Sequence, residues 1–146
     1  MEAISTFRGD YSYLSNFYIR SIIYNGIKYK STEHAYQAMK ATNKDDHDFV
    51  ANSLTPGRAK RSGQSIPCRQ DWNNIKIQVM HDIVKAKFEQ HTDLKELLLS
   101  TNDIPLIEGN IWKDAYWGIC DGKGENNLGK ILMSIRDGLK KEVMNE

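Results

Sequence analysis

Two stretches of this chain repeat apolar side chains at helical spacing, each for ~5 turns, and they leave room for little except a helix-rich fold. "NIKIQVMHDIVKAKFEQH" at 74–91 places Ile75, Val79, Met80, Ile83 and Phe88 close to that period. "NLGKILMSIRDGLKKEVM" at 127–144 lines up Leu128, Ile131, Leu132, Ile135 and Leu139 as one stripe. Ahead of the first helix, Asn73 is a plausible cap, and Asp93 with Glu96 marks the start of a further helix, "DLKELLLST". Ser31 can cap a three-turn helix over "TEHAYQAMKAT". "DHDFVANSL" reads as a short helix closed by "TPG" at 55–57, with "RAKRSGQ" a basic segment after it. The β signals are small: "FYIRSIIY" at 17–24, an Asn25-Gly26 turn and "IKYK" form a hairpin, while "IPLIEG" and "AYWGIC" look strand-like. The sum is a predominantly helical α+β fold with a few short strands. A length of 146 residues predicts one compact domain over 1–146.

Charge and cysteine usage exclude several functions. Twenty basic and 19 acidic side chains give a formal charge of +1, so no long-range field marks a general nucleic-acid or membrane binder. An anionic ligand must be met by local groups. No apolar run approaches the roughly 18 residues of a membrane span, and "MEAISTFRGDYS" has no signal-peptide pattern. A soluble, cytoplasmic protein is expected. Cys68 and Cys120 are too few and too far apart for a disulfide scaffold and read as reduced, packed thiols. His34, His47, His81 and His91 show no ligand spacing, so no metal and no cofactor are expected.

Candidate chemistry gathers at five places. Glu33, Gln37 and Lys40 fall at i, i+4 and i+7 and share one helical face, which could line a polar cleft; a solvated face is the commoner outcome of such a pattern. In "DAYWGICDGKGENNLGK", Asp114 precedes Tyr116, Trp117 and Gly118, and Gly122, Gly124 and Asn126 lead into a helix N-terminus, an arrangement that suits phosphate. Neither standard glycine-rich nucleotide motif is present, so a flexible turn is the rival reading. Trp72 could stack on a base or anchor a helix start. Lys60 lies in a basic segment that could pair with phosphate, and Asn16 in "LSNFY" is the remaining polar candidate.

Six blocks in order, "LSNFY", "STEHAYQAMKA", "TPGRAKRSG", "RQDWNNIKIQVMHDIVKAKF", "ELLLST" and "DAYWGICDGKGENNLGKILMSIRDGL", resemble the NADAR or YbiA-like family from about Phe7 to about Leu139. The resemblance implies a compact, helix-rich YbiA-like fold. It also implies N-glycosidase chemistry: cleavage between ribose C1 and a nitrogen, in ribosylamino-pyrimidine phosphates of early riboflavin biosynthesis or in ADP-ribosyl-guanine of DNA. By matching motif it assigns Glu33, Trp72, Asp114 and Lys40 to catalysis, and Asn16, Lys60 and the 122–126 loop to the substrate. Gln37, Tyr116, Trp117 and Gly118 stand beside them as substrate contacts. Breaking an N-glycosidic bond builds positive charge on ribose, so Glu33 or Asp114 could stabilise it while the other orients or deprotonates water. Lys40 could hold a phosphate or hydroxyl, or form a Schiff base with the opened ribose. A noncatalytic NAD or ADP-ribose binding module is the alternative, and a plain interaction protein a third. The sequence leaves the oligomeric state open.

Overall fold

The computed structural model describes residues 2–145. Two compact units divide the chain, one formed by Asn16–Gln90 and the other by both ends, up to Ser15 and from His91 onward.

The Asn16–Gln90 unit opens with the hairpin β1 (Ile22–Tyr24) and β2 (Ile27–Tyr29), antiparallel with Ile22 opposite Tyr29. Asn25 (φ 51°) and Gly26 (φ 78°) both take the left-handed conformation that a tight two-residue hairpin turn requires. β1 is shorter than the expected 17–24 run. Its backbone at Ile23 is clamped by the Gln90 amide, which accepts from the Ile23 N–H at 2.8 Å and donates to its carbonyl at 2.6 Å. Four helices follow: α1 (Thr32–Ala38), α2 (Lys44–Ala51), α3 (Pro56–Ser65) and α4 (Trp72–Gln90).

All four differ from the sequence expectation, α2 by spanning Lys44–Ala51 where 46–54 is expected. α1 stops after seven residues instead of reaching Thr42, because the Lys40 and Ala41 amides bond to carbonyls three residues back and tighten the chain toward Asn43, which caps α2. The "TPG" expected to close a helix starts one instead: the Thr55 hydroxyl accepts the Arg58 N–H at 3.1 Å and Pro56 occupies the first turn, so the basic segment is helical. α4 begins at Trp72, leaving Asn73 inside the helix.

α1 packs against α2, α3 and α4, and every residue from Ser31 to Ala38 is buried. The face carrying Glu33 and Gln37 is therefore not solvated. His34 anchors it. Its Nε2–H donates to the Ser53 carbonyl at 2.9 Å, so Nδ1 carries no proton and accepts the Ser31 hydroxyl at 2.7 Å. On β2, the Tyr29 hydroxyl meets His47 Nε2 at 2.6 Å, and His47 Nδ1–H donates to Asp48 at 2.9 Å.

The other unit contains a 3-10 turn at Gly9–Leu14, α5 (Thr92–Ser100) and α6 (Asn127–Met144), with α5 packed on α6. All five predicted stripe residues of α6 are buried. Ile4 bridges to Leu106, and Arg136 of α6 is buried, donating to Thr101 Oγ1 at 2.9 Å and the Ile104 carbonyl at 2.7 Å. The two strand-like segments at 104–109 and 115–120 form only isolated bridges, Gly109 with Ile119 among them. Asparagine and aspartate side chains take the backbone groups that a ladder would have used. Cys120 is buried as expected, whereas Cys68 is exposed in the connection between α3 and α4. Among the described residues, no helix is long and apolar enough to cross a membrane.

Candidate active site

α1 brings an acid, an amide and an amine into one small region of the Asn16–Gln90 unit. Glu33 is only 6% exposed, and the Gln37 amide donates to its Oε1 at 2.8 Å. The Glu33 backbone N–H donates to the Asn16 carbonyl, so residue 16 ties down the first turn; its side-chain amide donates to Met80 Sδ at 3.4 Å. Lys40 lies just past the helix end, half-buried. Burial pushes its ammonium below the usual lysine value, Glu33 and Cys68 pull it back up, and Lys60 and Lys76 push it down again. Lys60 thus reaches Lys40 electrostatically.

Aromatic rings close this region. Trp72 is 7% exposed, and its ring lies 5.1 Å from that of Tyr36 at 53°. The Lys40 ammonium sits 5.9 Å from the Tyr36 ring centre, within range of a cation–π attraction. The Arg69 N–H donates to the Lys40 carbonyl at 2.9 Å, fixing the approach to Trp72. The sequence does not single out Tyr36. Its signal is spacing, three residues after Glu33 and four before Lys40.

In the unit formed by the chain ends, Asp114 organises a loop. Its Oδ1 accepts the N–H groups of Tyr116 at 3.1 Å and Trp117 at 2.9 Å, and its own backbone is clamped by the Asn110 side chain at 2.8 and 3.0 Å. Tyr116 and Trp117 pack edge to face, with centroids 4.9 Å apart, and both are partly exposed. Asn126 is buried, accepting the Glu108 N–H and donating to the Leu106 carbonyl, both at 3.0 Å. That amide shapes the loop instead of reaching outward. Gly118 and Gly124 serve close approaches: a side chain at Gly118 would overlap Glu108, and one at Gly124 would overlap the Gly118 carbonyl. Gly122 turns with φ +75° in open space.

Several amides of the loop expected to hold phosphate are bonded within the loop itself. The amides of Lys123, Glu125, Asn126, Asn127 and Leu128 donate to carbonyls of Cys120, Ala115, Gly118, Tyr116 and Trp117. The first two amides of α6, those of Asn127 and Leu128, are thus taken by the preceding loop.

These carboxylates, aromatics and glycines occur in a pattern that can be compared with known proteins. The NADAR domain profile matches residues 5–140. The chain belongs to the NADAR family. This NADAR chain is 40% identical over 133 residues to the N-glycosidase YbiA of Shigella flexneri serotype 5b, covering 89% of this chain and 82% of that one. It is 38% identical over 137 residues to a riboflavin biosynthesis protein of Vibrio vulnificus, covering 92% of this chain and 37% of that one. The solution NMR structure of the Escherichia coli protein YbiA aligns with a TM-score of 0.89 at 35% identity, covering 100% of this chain and 90% of that one. The α+β, predominantly helical YbiA-like fold expected from the six blocks is thus the fold found. With similar proteins named as N-glycosidases in Shigella flexneri, Escherichia coli and Nostoc punctiforme, this NADAR chain is an enzyme of the N-glycosidase family.

Proposed function

We propose that this N-glycosidase hydrolyses the bond between ribose C1 and the exocyclic nitrogen of a phosphorylated ribosylamino-pyrimidine, with ADP-ribosyl-guanine, free or in DNA, as a further substrate of the same bond type. The observation that carries the reading is the buried Glu33 carboxylate, held by Gln37 on the short helix that leads into the half-buried Lys40. As the C1–N bond lengthens, positive charge grows on C1 and the ring oxygen. A desolvated carboxylate stabilises that charge far more than it would in water. The nitrogen leaves with a proton, and water supplies the new C1 hydroxyl. Two similar proteins named for riboflavin biosynthesis, from Vibrio vulnificus and Zea mays, support the pyrimidine arm. The +1 formal charge supports a free nucleotide over a long duplex.

Lys40 is assigned the anionic or hydroxyl end of the ribose. Its lowered proton affinity also raises the neutral fraction in which Nζ can attack C1 and expel the nitrogen as the protonated base; the ring C1–O bond then opens, its oxygen taking a proton from Nζ, to give an imine that water hydrolyses, freeing Lys40. Trp72 and Tyr36 are assigned to limiting water around the reacting carbon. The test is chromatography of free base released from a panel: the ribosylamino-pyrimidine phosphate, NAD, ADP-ribose and an ADP-ribosyl-guanine oligonucleotide. Release from the first is expected. Release from none would overturn the proposal.

A further inference from the structure

Gln37 lies buried beside Glu33 on α1. It is 4% exposed, its Nε2 donates to Glu33, and its Oε1 is buried with no hydrogen-bond partner. Such an orphan acceptor is costly, and its surroundings explain why it is kept. Gly63 of α3 lies directly against it: a methyl on Gly63 would overlap the Gln37 Oε1 and come within 3.0 Å of its Cβ and Cδ. The amide is thus confined between a glycine and a carboxylate. Only the carboxylate decides which way round it sits.

We infer that Gly63 and Gln37 form a positioning device for Glu33, in which the glycine admits the amide and the amide holds the carboxylate in its charged, correctly turned form. This rests on the catalytic reading of Glu33. An amide is the side chain suited to the task. Its N–H donates to the Glu33 carboxylate, and a hydrogen bond given to the ionised acid favours that form over the protonated one. Other charged and titratable groups face α1 as well: Lys30 acts on His34, and Cys68, between α3 and α4, acts on Lys40. Lys40 acts on Glu33 from the same segment, Lys60 of α3 and Lys76 of α4 act on Lys40, and from α2 His47 and Asp48 engage Tyr29 of β2.

The experiment is a carbon-13 NMR titration of the Glu33 carboxyl in the full chain, run with steady-state kinetics, for wild type, Gln37→Met, Gly63→Ala and the double variant. Gln37→Met keeps the volume and removes the donor. The Glu33 midpoint is expected to rise by about one pH unit. Gly63→Ala is expected to give a similar rise by pushing the amide aside, and the double variant no further rise, since both act through one contact. In step, kcat falls about tenfold or more with KM nearly unchanged. Additive midpoint shifts, or an unmoved midpoint in Gln37→Met, would overturn the inference; the latter variant decides the matter if Gly63→Ala does not fold. A moved midpoint alongside a fully active Glu33→Gln would uphold the contact and sink the catalytic reading. An inactive Glu33→Gln with unmoved midpoints would do the reverse.

Discussion

At the scale of single residues, the chain separates charge that shapes structure from charge that serves chemistry, and two substitutions distinguish them. Asp114 accepts two backbone N–H groups through Oδ1, and an asparagine oxygen can accept the same two. Asp114→Asn is therefore expected to keep the loop and its melting temperature within about 2 °C. If the motif match that assigns Asp114 to catalysis holds, base release should nonetheless fall by about a hundredfold or more. Near-normal turnover would restrict Asp114 to loop building. For Lys40, reduction with cyanoborohydride during turnover is expected to leave a ribosyl adduct on that side chain by peptide mass spectrometry, absent in Lys40→Arg. An active wild type without an adduct would leave Lys40 only its binding role. The sequence shows Glu33, Gln37 and Lys40 as one face by spacing alone. It does not show that Gln37 is wedged against Gly63, since nothing in spacing links two residues on different helices.

Among the elements, legibility follows how local the determining physics is. α6 was readable because its stripe of five apolar residues is a property of one segment. α3 was not, because Thr-Pro-Gly ends one helix as readily as it starts another, and only the Thr55 hydroxyl on the Arg58 N–H decides between them. The segments at 104–120 carry β-branched and aromatic residues, yet the side chains of Asn110, Asp114 and Asn126 bind the backbone groups that would have built strands. α3 also carries Gly63, against Gln37, and Lys60, which acts on Lys40. Thr55→Ala is expected to cost about 1 kcal/mol, visible in urea unfolding. An unchanged unfolding midpoint would show that packing alone starts the helix.

For the whole molecule, two buried bases set how stability responds to pH. Burial pushes His34 below its usual value, so below about pH 6.5 the unfolded chain holds more protons than the folded one. Stability is thus full above that pH and falls as the solution is acidified through it. Burial pushes Lys87 down to about 7. Between there and the ordinary lysine value of about 10.4, the unfolded chain again holds the extra proton, so stability rises with pH across that window. Urea midpoints measured from pH 5 to 9 should therefore climb throughout, with His34→Gln flattening the acid part and Lys87→Met the alkaline part. A midpoint that peaks near neutrality and declines by pH 9 would contradict the assignment to Lys87.

The proposed chemistry rests on the buried Glu33 carboxylate of α1 stabilising the ribosyl cation. Glu33→Gln keeps the size of the side chain and removes its charge, and single-turnover base release under saturating ribosylamino-pyrimidine phosphate reads the chemical step directly. The account predicts a fall of about a hundredfold or more, with substrate still bound and the melting temperature preserved. A variant that releases base at the wild-type rate would contradict it.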